Sequence, residues 1–562
     1  MESRYALGFD FGTESVRVLV VRMADGLICG QAACPYAHGV IDDVLPVTNA
    51  KLPADYALQD SRDWLTSAAS ACKEAMKLAR ATSEEVAGIG VDFTSCTMLP
   101  CRADGTPLHL CQPFDTLPLA WPKLWKHHGA KADADRITQV ARERAEPWLA
   151  RYGGTIGLEW FFPKVLETLN LAPEVYDAAD VWIEAGDWLV WQLVSGPYPA
   201  CKAVDIVRST CQAGYKAMWN GQTGYPTPEY FAAVHPKLAD VVTARMPGSL
   251  EAPGQRAGKL TAAAAELLGL EAGIPVSTAI IDAHAGFPGA GVAEDSTLVL
   301  VMGTSSCHMM NSHVEKLVPG IAGVVQDGIL PEFFGYETGQ ASVGDAFAWV
   351  SGLLRTSHED LTQRAAKLPP GSGGVLALDW LNGCRTPLMD GRVSGSFIGL
   401  TLNTRPEQLY RAMLEATAFG LKWIVQTLRE AGVPVQRFVA SGGLPARSPL
   451  LMQIYADVLG EEIRLAASDQ SVALGAAILG RLASNESGPE EARIPQAIHE
   501  MARQRPDLVY RPRPEARRQY DKLYELYRSL TSFDGPLART MRELRTIGVA
   551  PDLTLPPKSP AG

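Results

Sequence analysis

Two segments nearly three hundred residues apart share one pattern of apolar and polar positions. Tyr5-Ala-Leu-Gly-Phe-Asp10-Phe is an apolar run that breaks at Gly12-Thr13-Glu-Ser15 and resumes as Val16–Val21. Thr297–Met302, Gly303-Thr304-Ser305-Ser306 and Cys307–Met310 repeat it. Each predicts a β-hairpin whose turn is small, hydroxyl-rich and glycine-bearing.

Around the first hairpin the pattern continues as an α/β chain. A third strand is expected near Leu27–Cys34. A helix follows from Asp60 or Ser61 as N-cap to Ala79, with Trp64, Ala68, Cys72 and Met76 at helical spacing. Val86–Val91 reads as a buried strand leading into the polar stretch Asp92–Thr97. Residues 100–260 are rich in Trp and Pro with little clean periodicity, and read as insertions that build a substrate cleft. A boundary is expected near Glu271–Pro275, followed by a strand over Val276–Ile281 that ends in Asp282-Ala-His-Ala-Gly286. Pro406–Ala431 has one apolar helical face and stops at Gly432 and Pro434. Arg437–Ala440 is a strand before Ser441-Gly442-Gly443, and Ser448-Pro449 opens a helix that ends at Gly460. Val472–Gly480 is a helix of small residues suited to close packing. The division expected is 1–272, 273–490, and 491–562 as a helical extension with a disordered tail over Leu555–Gly562.

Glycine lets a backbone come close to a phosphate, and turn amides with Thr or Ser hydroxyls can donate to its oxygens. One such turn is equally well a plain hairpin. Two suggest two domains of like design clasping a polyphosphate, as in a nucleotide-dependent phosphotransferase or an ATPase. The chain has no Walker loop. Asp10, an acid at the end of a buried strand, needs a partner or a metal, and beside a triphosphate it could orient magnesium. Gly442-Gly443 is either a flat floor for a nucleoside or a turn that needs positive φ. Asp282 ends a strand at the edge where α/β ligand sites gather, and is either the acceptor of a sugar hydroxyl proton or a cap for the segment after it. Lys216 and Glu337 stand in Gly- and aromatic-bearing loops, and are either hydrogen-bonding groups for a polyol substrate or, as their own stretches read more readily, solvated loop charges.

At 562 residues the chain calls for two domains or more. A hydrophobic share of 47% and a charged share of 20% are those of a globular protein, and a net charge of −11 argues against nucleic-acid or membrane-surface binding. No apolar run reaches the ~20 residues of a membrane span, and the first strand leaves no room for a signal peptide. Ten scattered cysteines without C-x-x-C read as reduced thiols, so a cytoplasmic setting is expected. His127-His128 lacks the spacing of a structural metal site.

Taken together these segments resemble the FGGY family of carbohydrate kinases, within the actin, hexokinase and Hsp70-like ATPase superfamily. Gly395-Ser-Phe397-Ile-Gly399-Leu through Gln408-Leu409 and Ala412-Met-Leu-Glu415 looks like the C-terminal signature in full. Two departures, Pro163 directly before Lys164 and Ile281-Asp282-Ala-His284 where many members have Gly-Asp-Gln, match the branch that phosphorylates L-ribulose. Val91–Pro100, Glu159–Lys164, Ala213–Lys216, Asp282–Gly286 and Gly303–His308 look like that branch as well. The resemblance implies an α/β fold of two actin/hexokinase/Hsp70-like ATPase domains with a cleft between them. It implies ATP and Mg2+, and L-ribulose as the small-molecule substrate in L-arabinose breakdown. Asp282 would be the base, with Cys96, Lys216 and Glu337 around the sugar. Gly12, Thr13, Ser15, Arg17, Gly303, Thr304 and Ser305 would hold phosphates, Gly442 and Gly443 the nucleoside, and Asp10 the metal. A homodimer stays open. The other readings are a different pentulose or polyol kinase of the family, and a non-enzymatic ATP-driven scaffold of the actin or chaperone type.

Overall fold

The structure, a computed structural model, describes residues 4–321, 323–484 and 490–547. Its frame is two sheets of like design. In the first, β1 (Tyr5–Phe11) pairs antiparallel with β2 (Ser15–Arg22), β2 pairs antiparallel with β3 (Ile28–Pro35), and β4 (Val86–Phe93) lies parallel to β1 on the other side. In the second, Thr297–Met302 pairs antiparallel with Ser306–Ser312, which pairs with Phe334–Gln340, while Arg437–Ser441 lies parallel to Thr297–Met302. The two hairpins read from the apolar pattern therefore hold the same place in each sheet. α1 (Ser61–Ala79) packs on the first sheet, and its N-cap Asp60 accepts from the Arg62 amide.

The strand expected over Val276–Ile281 forms as two pieces, Pro275–Ser277 and Ile280–Ile281, and both pair with β4. The first sheet thus reaches past residue 272. The segment after 491 supplies more than helices. Gln504–Tyr510 adds an antiparallel edge strand to the second sheet beside Ile463–Ala466. Its Pro506 hides it from pattern reading, and an edge strand tolerates proline. Helix Pro514–Leu530 inserts Tyr520, Tyr524 and Tyr527 into the core of the second half. The expected tail at Leu555–Gly562 lies outside the described residues.

Residues 100–260 fold largely as short helices around their own core, which includes Trp160, Phe161, Phe162, Tyr176 and Tyr230. Phe161–Leu171 is buried over nine of its eleven residues, so no polar face marks its period. The helix at Pro449–Leu459 starts at Pro449 and is closed by left-handed Gly460, but the Ser448 side chain makes no cap bond.

Two helices of small residues, Asp282–Gly289 and Ser471–Ala483, lie between the sheets. One buried cluster joins Ala6, Leu19 and Ile280 of the first half to Val299 and Val439 of the second through Ala285, Phe287, Ala473 and Ala477. The approach is close enough to exclude side chains. A Cβ at Gly90 would sit 1.8 Å from the Ala476 carbonyl oxygen, and one at Gly8 2.0 Å from that of Ala473. The helices also touch each other, because a Cβ at Gly475 would lie 1.8 Å from the Ala285 carbonyl oxygen.

Gly90→Ala has no flexible neighbour to displace. It should cost about 2 kcal/mol or more, within the usual range for overpacking, and lower the thermal midpoint. A melt indistinguishable from wild type would contradict this packing.

Candidate active site

Each hairpin turn is closed by its own backbone. The Gly12 amide donates to the Ser15 carbonyl at 3.0 Å and the Gly303 amide to that of Ser305 at 2.9 Å. The first turn is braced from below: Gln59 donates to the Thr13 carbonyl at 2.8 Å, and the Trp125 indole to the Thr13 hydroxyl at 3.0 Å. That hydroxyl, accepting from Trp125, keeps its own proton to donate. The second turn is braced from the start of helix Gly344–Leu354, where the Val343 and Asp345 amides donate to the Thr304 carbonyl.

The two readings of Gly442-Gly443 separate by residue. Gly442 has φ +102°, and a Cβ there would lie 2.5 Å from the Met302 carbonyl oxygen. Gly442 is thus the strained turn, pressed against the strand that leads into the second hairpin turn. Gly443 opens the short helix Gly443–Arg447, and its nearest obstacle is the far end of the Arg447 side chain at 2.9 Å. Its φ is not in the left-handed region, and only that movable side chain meets a Cβ there.

Three carboxyls gather at the ends of the first sheet's strands. Asp10 accepts from Arg17 at 2.9 Å, so Arg17, expected on phosphate, is held on this acid. Burial raises the Asp10 carboxyl against the pull of Arg17. Asp282 begins its helix, and its own carboxylate accepts from the Ala283 amide at 2.7 Å. Burial pushes it up to about 7; that amide opposes the rise, while Asp10 and Glu337 add to it. Asp282 therefore feels both Asp10 beside the first turn and Glu337 of the second sheet. The third carboxyl, Asp92, is wholly buried and raised well above the usual range by burial and by the charges of Asp10 and Asp282.

Lys216 and Glu337 are not solvated loop charges. Lys216 ends helix Thr210–Lys216, Glu337 is central in strand Phe334–Gln340, and both are buried. Lys216 donates to both Glu337 oxygens at 3.0 and 2.8 Å, bridging the first half to the second. Glu337 also accepts from Arg385 and lies 3.4 Å from His284 Nε2. Burial alone would raise the Glu337 carboxyl; Lys216, Arg385 and His284 together hold it well below the usual range. Cys96 is buried with a left-handed backbone at φ +58°. Its thiol is raised to about 12 by burial, which disfavours the thiolate. Its carbonyl accepts from the buried Lys164 at 2.7 Å. The electrostatic neighbours of Lys216 include Cys96, Glu337 and Arg385, and those of Asp282 include Asp10, Glu337 and Lys216, so these residues form one connected set.

Sequence reasoning assigned no role to Asp92, Lys164, His284 or Arg385. The first three lie inside segments that carry the family likeness, so position was the available signal. Arg385 lies in a stretch, Gly383–Pro387, without periodic pattern, and nothing in the chain announces it.

The arrangement brings together two like hairpin turns, a carboxyl near neutrality beside Asp10 and a buried polar cluster around Glu337. The chain belongs to the FGGY family of carbohydrate kinases, whose N-terminal domain model matches residues 5–289 and whose C-terminal domain model matches residues 298–484. It is 42% identical over 560 residues to the ribulokinase of Shouchella clausii, covering 97% of this chain and 98% of that one. It is 43% identical over 563 residues to the ribulokinase of Mycolicibacterium smegmatis, covering 97% of each. Among solved structures it is similar to a xylulose kinase from Rhodospirillum rubrum, with TM-score 0.77 and 22% identity over 97% of this chain and 99% of that one. It is also similar to Plasmodium falciparum glycerol kinase with ADP, with TM-score 0.72 and 16% identity over 94% and 97%. The fold is thus the two-domain sugar-kinase fold expected, and the protein is an enzyme rather than a scaffold. No helix of the described residues is long and apolar enough to cross a membrane.

The glycine geometry separates two variants. Gly442→Ala should lower the ligand-free thermal midpoint, at a cost of ~1 kcal/mol or more. Gly443→Val should leave the melt nearly unchanged and weaken ATP binding at least tenfold. Normal ATP affinity in Gly443→Val would remove that residue from the nucleotide site.

Proposed function

We propose that the protein transfers the γ-phosphoryl group of ATP to the terminal hydroxyl of L-ribulose, giving L-ribulose 5-phosphate and ADP in L-arabinose breakdown. The observation that carries the reading is the place of Asp282. It sits in reach of the charges of both Asp10, at the first phosphate turn, and Glu337, in the buried polar cluster, and its carboxyl is poised near pH 7. Near-full-length relatives named ribulokinase support the choice of sugar.

In this mechanism the Gly12–Ser15 and Gly303–Ser305 turns grip the polyphosphate through amides and hydroxyls, and Gly443 lies under the nucleoside. Cys96, Lys216 and Glu337 surround the sugar, with Arg385 fixing the Glu337 carboxylate. The C5 hydroxyl gives its proton to Asp282 as its oxygen bonds to the γ-phosphorus. The bond from that phosphorus to the β-bridging oxygen breaks, and ADP leaves with the electron pair. A base near neutrality suits this step, since both its ionised fraction and its pull on the proton are then substantial. Mg2+ fits the donor set at the first turn, where hard carboxylate oxygens outnumber the single guanidinium of Arg17 that pairs there with Asp10. Asp10 would hold it, and it would offset charge on the phosphates. Lys216 and Glu337 act as a pair: removing the charge of either strands the other, and Glu337→Gln differs from Glu337→Ala in keeping the side chain's volume and hydrogen-bonding capacity.

Asp282→Asn should keep ATP and sugar binding while turnover falls roughly two to four decades. In wild type kcat/KM should be level above pH about 7 and fall as Asp282 protonates below it, because only the ionised carboxyl accepts a proton. Near-normal turnover in Asp282→Asn with intact calorimetric binding would remove Asp282 as the base.

A panel of L-ribulose, D-ribulose, D- and L-xylulose, ribitol, L-arabinitol and glycerol should rank L-ribulose first in kcat/KM and glycerol very low. A missing or inverted hydroxyl leaves buried polar groups unpaired. If D-xylulose or glycerol exceeded L-ribulose tenfold, the choice of sugar would be wrong while the kinase reading stood.

A further inference from the structure

Asp92 is a buried acid without an evident structural reason. It lies next to Asp10 in the parallel register of β1 and β4, with Ile280 on its other flank. The strand ends cannot slide: the Phe11 and Phe93 rings stack at 5.1 Å, and the Thr94 amide donates to the Phe11 carbonyl. Asp92 is 0% exposed, and neither carboxylate oxygen has a donor among the described residues. Its neighbours are provided for, since Asp10 has Arg17 and Asp282 has the Ala283 amide. The side chain that meets the Asp92 carboxyl is the carboxyl of Asp10. The hydroxyl of Tyr36, close enough to feel both acids, is likewise buried and unpartnered.

Buried polar atoms rarely go unpaired, and a carboxylate facing another carboxylate is costlier still. Two such groups coexist across either a shared proton or a cation. We propose that Asp92 is the second protein carboxylate of the divalent-cation position at the first phosphate turn, sharing with Asp10 the cation that accompanies ATP. The inference rests on the kinase reading above and adds to it a residue that recognises the metal. Cations of the Mg2+ kind are commonly bound through one or two carboxylates plus substrate phosphates. Among the described residues no three His, Cys, Asp or Glu side chains converge as a protein cage. The phosphates complete the site, and cation and nucleotide are held together.

The test measures binding. The affinity of the full-length protein for a non-hydrolysable ATP analogue is titrated calorimetrically with saturating Mg2+ and again in EDTA. Mg2+ should tighten the analogue in wild type. Asp92→Asn keeps the shape and still offers Asp10 a hydrogen-bond donor, as a shared proton would, but removes the charge. The variant should lose at least tenfold of the tightening due to Mg2+, while its affinity in EDTA stays equal or improves. Asp92→Ser serves as the second variant if the first fails to fold. An undiminished Mg2+ effect in the folded variant overturns the inference and assigns Asp92 to the shared proton. Failure of wild type to bind the analogue under either condition would instead overturn the kinase reading.

Discussion

The molecule depends on how closely two helices of small residues can lie against two sheets. Helices Asp282–Gly289 and Ser471–Ala483 meet through glycine and carbonyl contacts that leave no room for a Cβ at Gly8, Gly90, Gly289 or Gly475. Protein interiors pack at near-crystalline density, so such contacts define distances instead of merely limiting them. The consequence reaches the strand-end acids. The first of these helices starts with Asp282, and the second lies against β1 and β4, the strands that carry Asp10 and Asp92. Asp282 and the two acids at the end of the first sheet are set by one packing arrangement.

On that frame the charges of the cleft divide into two groups. At the strand ends stand Asp10, Asp92 and Asp282, with Arg17 paired to Asp10, so acids outnumber the base there. In the buried polar cluster Lys216 and Arg385 flank Glu337, with His284 behind it. A buried ion pair adds little net stability, because desolvation offsets the attraction. Its use here is in directing hydrogen-bonding groups, and it reaches across the cleft, so the two halves share one polar surface.

Much of this was legible along the chain. Both hairpins showed in their apolar runs, the helix ended by Gly432 and Pro434 in its 3.6-residue period, and the close-packing helix in its run of Ala and Gly. Motifs placed Asp282, Lys216 and Glu337 in one site through family resemblance, but not their condition. Lys216 and Glu337 resemble loop charges in a string of letters, because nothing local shows that a helix end and a strand 121 residues apart bury each other. Arg385 had no local signal, since its role exists only opposite Glu337.

The sequence by itself determined which segments are strands and helices with one buried face, where turns could meet phosphate, and to which family the chain belongs. These rest on local periodicity, glycine and proline chemistry, and motif spacing. Tertiary structure decided the rest. It drew the strand pieces after residue 272 into the first sheet and made Gln504–Tyr510 the edge of the second. It assigned the turn strain to Gly442 and left Gly443 open. It also brought Asp10 and Asp282 close enough to raise the buried Asp92 carboxyl, and Asp10 and Glu337 close enough to raise that of Asp282. Burial and through-space charge depend on what lies across the fold, and no stretch of chain carries that information alone.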